Sequence, residues 1–521
     1  MDASSYLTTY QQYWQTRGLA LGEMPGAAVA EWIAQTNWEE PQSPLDWNNG
    51  AVLALIEAEA ATDPELRGMY LEMAIAALDE AIAHPLGAVH WALVQSLLGD
   101  RDQAIQAAFS ELLTAVLRSS LSVSAPPGLI FVPQRWQGYV DVPYTQLQRI
   151  LTCEDGQEQA LLLAAEVLCQ SQFVFYNPSG LRFLQLATQV LPDSPLLNLN
   201  LGIASLMGAQ WEGLVYLHRA QRLQPQNPAI LQALALAYKG LQQPEMVQHW
   251  QQVARQVGAV SDAADWTQVP LAQPFTYVPF QRSLPMAVES SFQSIVTGVL
   301  LAKGTWFEQE MEFWQATLQP GMTVIDVGAN VGVYTFSAAQ RVGATGRVLA
   351  IEPFSNCVQC LQETCRVNHL DWVTVCRGAA SDRTGTAYLS LHAASELNEL
   401  VTQPTAGAAN VEEVPCFTLD SLLEQEHLQR VDVLKIDAEG HELQVLQGSD
   451  RLLQTHAPII LYENIAGAQG SNLPVAEYLV NKGYQLCRYQ PFVQQLLPVQ
   501  LDENLSGNLN IIALPIHKTS S

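Results

Sequence analysis

Val324-Ile325-Asp326-Val327-Gly328-Ala329-Asn330-Val331-Gly332-Val333-Tyr334-Thr335 is the stretch that decides the fold of this chain. An apolar, β-branched run ends on an acid, passes through a turn containing two glycines and continues into a helical pattern. That order reads as strand, tight turn, helix start. A short strand of such composition is a buried parallel one. Gly328 and Gly332 let backbone approach a ligand at the helix N-terminus.

The ligand follows from what the turn lacks. A dinucleotide turn, G-x-G-x-x-G, needs its second and third glycines so that a pyrophosphate and a packed strand can come close. Here Asn330 and Val333 stand at those places, and Asp326 sets a carboxylate beside the turn. A carboxylate repels a pyrophosphate and attracts a cationic amino-acid group. S-adenosylmethionine, with an ammonium and a sulfonium and no phosphate, fits better. Val348-Leu349-Ala350-Ile351-Glu352 is a second buried run ending in an acid, about 20 residues after the turn, where ribose hydroxyls are held. Asp326, Gly328, Asn330, Gly332 and Glu352 are therefore the expected cofactor contacts.

Three ordered motifs carry a family resemblance: Asp326 to Thr335, Glu352-Pro353, and Leu434-Lys435-Ile436-Asp437-Ala438-Glu439-Gly440-His441-Glu442. Together they resemble the FkbM family of S-adenosylmethionine-dependent methyltransferases, over roughly residues 280–515. The resemblance implies a Rossmann-like class I methyltransferase fold with a seven-stranded sheet. It also implies O-methylation of a hydroxyl on a sugar, glycan or polyketide-type product.

Further along, Val373 to Cys376 reads as a third strand, and the turn after it brings Ala380 and Ser381 to the expected adenine edge. Tyr388 to His392 and Val411 to Thr418 read as added strands, with Ser395 to Ala409 a substrate-side loop. Val431 to Ile436 is the strongest later strand. Asp437 stands at its C-terminal end, where open α/β sheets place ligands, and is the first candidate for chemistry. Glu439 and His441 follow it; direct general-base catalysis by Asp437 or His441 is one route. Pro458 to Asn464 is another strand ending in polar residues at the site edge. Asp437, Glu463 and Asn464 suggest a second route, a magnesium ion that lowers the pKa of the acceptor hydroxyl. Glu308, ahead of the first strand, reads as a solvated helix acid or a weaker cofactor contact.

From Leu45 to Leu117 the chain is rich in Ala, Leu and Glu at helical spacing. Leu98 to Ile105 reads as a turn between packed helices and resembles a tetratricopeptide repeat. Pro195 and Pro228 open two units 33 residues apart, close to the ~34 of that repeat. Stacked helix pairs bury what one pair cannot, and their concave face would bind a protein partner or mediate self-association. Between the helical blocks, Ser122 to Tyr144 carries four prolines and reads as an irregular connection. Gly258 to Pro285 reads as a linker. The expected organisation is a multidomain chain: a helical domain over 1–120, tetratricopeptide-like repeats over 121–265, and the α/β domain with its entry linker over 266–521.

The chain has 521 residues, more than one core serves, and a formal net charge of -27. That charge disfavours nucleic acid and anionic membranes as partners. No stretch is long and apolar enough to span a membrane, and the N-terminus lacks the features of a secretory signal, so a cytoplasmic location is expected. Eight cysteines in a chain of this length do not form a disulfide framework, and Cys357 and Cys360, two turn-spaced thiols, lack the further ligands of a zinc site. Two other functions compete with a methyltransferase acting on a small-molecule or glycan acceptor. One is an interaction scaffold whose methyltransferase domain has lost turnover; the other is a nicotinamide-dependent oxidoreductase.

Overall fold

The computed structural model describes residues 3–16, 19, 26–99, 101–119, 124–133, 144–168, 178–258, 264–281, 283–401, 411–464, 471–501, 505 and 508–516. It divides into two compact units, residues 1–230 with 491–495, and 231–490 with 496–521.

The first unit is helical. Its helices include Ala3–Gln15, Pro44–Ala60, Pro64–Ala81, Pro85–Leu98, Pro195–Met207 and Gly213–Leu223. Local chemistry sets their starts: Ser43 and Asp46 form a capping box ahead of Pro44, and Asp63 and Ser194 cap the helices that begin at Pro64 and Pro195. Gly99, in left-handed conformation, ends Pro85–Leu98 where the turn was expected. Gly202 lets the two helices of the 195–223 pair touch, since a Cβ there would lie 2.7 Å from Leu217 Cδ2. Residues 124–133 have no regular secondary structure, yet Leu129 to Val132 are buried among the helices. This part of the expected connection thus packs as core; its residues 122–123 and 134–143 lie outside the described residues.

The division falls inside the helix Pro228–Gly240, so the pair Pro228–Gly240 and Pro244–Gln256 belongs largely to the second unit rather than to a repeat domain ending at 265. Polar side chains hold it there. Gln232 donates to Thr276 Oγ1 and Tyr277 O, and Lys239 Nζ donates to Gln273 O and Ser290 Oγ at 2.7 Å each.

Strands of the second unit are β1 (Phe275–Phe280), β2 (Leu284–Glu289), β3 (Thr323–Val327), β4 (Arg347–Glu352), β5 (Val373–Arg377), β6 (Ala379–Ala380), β7 (Gly385–Ser390), β8 (Glu399–Val401), β9 (Val411–Phe417), β10 (Val433–Ile436), β11 (Ile459–Glu463), β12 (Tyr484–Gln490), β13 (Gln495–Pro498) and β14 (Asn510–Pro515). The last part of the expected linker, from Phe275 on, belongs to the antiparallel ribbon β1–β2. Its prolines hid that: Pro279 and Pro285 face each other, which a two-stranded ribbon tolerates because both strands are edges. The main sheet runs β13-β12-β14-β11-β10-β3-β4-β5. Strands β5, β4, β3, β10 and β11 are parallel, and β14 pairs antiparallel with β11 and β12. This contains the seven-stranded sheet that the resemblance implies, with β13 added at one edge. The added strands form a second sheet, β6-β9-β7-β8. Both faces of β3, β4 and β10 are buried almost throughout, so these strands are largely apolar, interrupted by Asp326, Glu352 and Lys435. No described helix is long and apolar enough to cross a membrane.

Candidate functional site

Three adjacent parallel strands deliver three acids to one sheet edge. Asp326 is the last residue but one of β3, Glu352 ends β4, and Asp437 follows β10. Between them runs the glycine turn, in which Gly328, Asn330 and Gly332 all have positive φ, 76°, 48° and 102°. A Cβ on Gly328 would lie 1.7 Å from Asp437 O, and one on Gly332 would lie 2.4 Å from Phe336 Cε2. Both positions thus require glycine on two counts, conformation and space.

Glu352 organises the turn directly. Its Oε2 accepts from Asn330 N and its Oε1 from Phe354 N, both at 2.8 Å. Burial pushes its carboxyl up to about 7, against the pull of those two amides, with the charges of Asp326 and Glu289 adding to the rise. Asp326 is 2% exposed and accepts from Thr335 Oγ1 at 2.5 Å. Burial raises it to about 6; the Thr335 bond and Lys435 oppose that rise. The Asn330 amide reaches across to Ser395 Oγ at 3.2 Å, and Ser395 in turn donates to Glu289. One end of the expected substrate-side loop is thereby fastened over the turn. Residues 402–409 of that loop lie outside the described residues.

The cluster after β10 contains a residue that sequence reasoning missed. Lys435 is 1% exposed, donates to Asp437 Oδ2 at 2.8 Å and lies 4.6 Å from the Tyr334 ring centroid. Burial works against its charge, but Asp437, Glu308 and Asp326 outweigh burial and hold the ammonium above the ordinary lysine range. The signal was present: a lysine inside an apolar strand, two residues before the acid and so on the same face. Glu308 is corrected too. It lies outside any helix, and its Oε2 accepts from Tyr334 OH at 2.5 Å and Asn510 Nδ2 at 2.9 Å.

Among the described residues, one carboxylate oxygen each from Asp437, Glu439 and Glu463 lie within 4.8 Å of one another, a spacing that could hold a cation. Burial, then the charges of Asp437 and Glu442, push Glu439 up to about 8. Burial and the same crowd of acids raise Glu463 strongly, and its Oε2 is buried with no hydrogen-bond partner among the described residues. Asn464, next to Glu463, is fully buried. Its Nδ2 donates to Leu505 O and Asn508 O, and its Oδ1 accepts from Asn472 N, so the amide is spent on fixing neighbouring chain. Of the expected ligand trio Asp437, Glu463 and Asn464, the two acids lie together with Glu439, while the Asn464 amide is engaged by neighbouring chain.

His441 also faces elsewhere. Its Nε2 lies 2.9 Å from Ser381 Oγ, and burial lowers its pKa. That contact joins it to the expected adenine edge, where Ala380 and Ser381 are buried beside β9. Glu442 is structural: it accepts from Ala438 N and Gly440 N and from the Asn472 amide. Cys357 and Cys360 are buried free thiols, both raised by burial.

Residues 326–486 match the family model of the methyltransferase FkbM domain. No curated protein matches the chain. Among solved structures, a methyltransferase FkbM from Methylobacillus flagellatus KT is 17% identical over 42% of this chain and 52% of its own, with a TM-score of 0.26. This chain thus spans about half the length of that protein. An O-methyltransferase from Bacillus cereus is 16% identical over 40% of this chain and 80% of its own, with a TM-score of 0.24. A SAM-dependent methyltransferase from Aquifex aeolicus is 14% identical over 40% and 89%, with a TM-score of 0.23.

Proposed function

We propose that the second unit is an S-adenosylmethionine-dependent methyltransferase that transfers the methyl group to a hydroxyl of a small-molecule or glycan acceptor. The observation that carries this reading is the convergence of Asp326, Glu352 and Asp437 on the left-handed turn Gly328 to Gly332. The match over residues 326–486 supports it.

The residues fit the cofactor. Gly328 and Gly332 let the turn close against Asp437 and Phe336 in left-handed conformation, and Glu352, although it already holds two amides, keeps lone pairs free for ribose hydroxyls. Asp326 offers a buried carboxylate to the ammonium. When bound, S-adenosylmethionine supplies an electrophilic methyl on a sulfonium. Asp437 has one oxygen held by Lys435, which leaves Oδ1 to accept the proton of the acceptor hydroxyl as its oxygen attacks in line. Glu439 and Glu463, which burial and neighbouring acids push toward the protonated form, can donate to other acceptor oxygens. A hard cation on Asp437, Glu439 and Glu463 would serve the same hydroxyl. We favour the proton route because the Lys435 ammonium already balances Asp437.

For the helices, two pairs whose first-position prolines stand 33 residues apart support the repeat reading, with a protein partner or a second copy as ligand. An inactive scaffold would not need the carboxylate set kept intact. Calorimetric titration with S-adenosylmethionine and, separately, NADH tests the assignment. Saturable S-adenosylmethionine binding that Gly328→Val abolishes is expected. Tight NADH binding instead would restore the oxidoreductase reading.

A further inference from the structure

The first unit holds a stretch of its own chain the way a receptor holds a peptide. Residues 126–132 run without regular secondary structure through the helices, and four consecutive amides find side-chain acceptors. Gly128 N donates to Gln159 Oε1 at 3.0 Å, Leu129 N to Asn49 Oδ1 at 2.9 Å, Ile130 N to Tyr10 OH at 3.1 Å and Phe131 N to His90 Nε2 at 3.0 Å. Carbonyls are answered in the same manner. Leu129 O accepts from Asn48 Nδ2 at 3.1 Å, Ile130 O from Tyr10 OH at 3.2 Å, Val132 O from Tyr13 OH, and Pro126 O meets His84 Nε2 at 3.1 Å.

Asn48, Asn49, His90, Gln159 and Tyr10 are all at most 1% exposed. Several are oriented by bonds that do not involve the segment. Asn49 Nδ2 donates to Thr36 Oγ1 at 2.8 Å, Gln159 Nε2 to Ile150 O at 3.3 Å, and His90 Nδ1 lies 2.7 Å from Asn48 Oδ1. With Nδ1 donating to that oxygen, Nε2 is the free acceptor that the Phe131 amide needs. Burial lowers His90 to about 3, so it stays neutral. A core built only by packing would select side-chain shape. These readers address the main chain, and they are uncharged in a protein of net charge -27.

We propose that this groove is a peptide-binding site, which reads the main chain of an extended, uncharged apolar segment and holds residues 126–132 of its own chain as resident ligand. An extended apolar stretch of another protein is the class of ligand that would replace the resident. The site is independent of the carboxylate cluster of the second unit and of the reaction proposed for it.

The test uses the full-length protein, a weakened resident (Phe131→Ala, and Ile130→Ala with Phe131→Ala) and a fluorescent synthetic peptide of residues 125–133. Anisotropy should show saturable binding to the variants and at least tenfold weaker binding to the wild type, where the resident competes. N-methylation of the peptide at Leu129 and Phe131 removes two read amides and should weaken binding at least tenfold, whereas changing its apolar side chains to other apolar ones should change it less. If a variant melts early, excess peptide should restore its melting temperature. No binding and no restoration, or equal binding of the N-methylated peptide, would overturn the proposal.

Discussion

Lys435 Nζ and Asp437 Oδ2 are 2.8 Å apart on the same face of β10, and the lysine is buried while the acid is about one-third exposed. The pair places a buried ammonium directly beside Asp437, the acid proposed to take the acceptor proton. Asp326 and Glu308 also feel its charge. Three acids depend on one cation.

Lys435→Met should therefore destabilise the second unit by about 3–5 kcal/mol, the cost of leaving buried acids without their partner. Asp437→Asn, which removes an acid that reaches solvent, should cost less. Urea unfolding of the two variants checks the order. A Lys435→Met variant as stable as the wild type would mean that the acids take up protons instead of relying on the lysine.

Gly328→Ala should abolish S-adenosylmethionine binding, because the added Cβ would lie 1.7 Å from Asp437 O at a φ of 76°. Gly440→Ala offers the contrast. It also has positive φ, but no atom lies within 4 Å of its Cβ, so it should cost only about 1–2 kcal/mol of backbone strain. Calorimetry and thermal melts of both variants separate crowding from conformation.

What the sequence made legible is what local chemistry dictates. Gly328 and Gly332 announced a left-handed turn, and the runs before Asp326, Glu352 and Asp437 announced buried strands, because backbone conformation and two-sided burial leave direct marks on residue type. What stayed hidden depends on distant partners. Asn464 looked like a ligand by position, yet chain near 505–508 and Asn472 claim its amide. Residues 126–132 looked like a proline-rich connection, since the side chains that bury them lie 31 to 120 residues away. Prolines 279 and 285 likewise masked the ribbon β1–β2, whose pairing can be seen only once both strands are side by side.

The two raised acids give opposite pH trends for stability and for binding. Asp326 and Glu352 hold protons up to about 6 and about 7 in the folded protein, above their ordinary values of 3.8 and 4.5. Between pH 4 and 7 the folded state thus binds more protons than the unfolded state, and stability falls as pH rises, by roughly 3 kcal/mol per group at most. Cofactor affinity should rise over the same window, because a cationic ammonium and ribose hydroxyls prefer ionised carboxylates. Melts without ligand and titrations at pH 5.5 and 8 check both signs. Affinity independent of pH would remove Asp326 and Glu352 from the binding site.

Chelation should leave methyl transfer intact. The Lys435 ammonium pairs with Asp437, and burial and the neighbouring acids raise Glu439 and Glu463, which favours their protonated forms and eases the repulsion in the cluster without a divalent ion. Asn464, the neutral ligand that would complete an oxygen set, is tied to the chain. Transfer of labelled methyl from S-adenosylmethionine to a panel of hydroxylated acceptors, with and without EDTA, decides between the routes. A rate that EDTA removes, magnesium restores and Glu439→Gln abolishes would establish the cation route, with Glu439 standing where Asn464 had been expected.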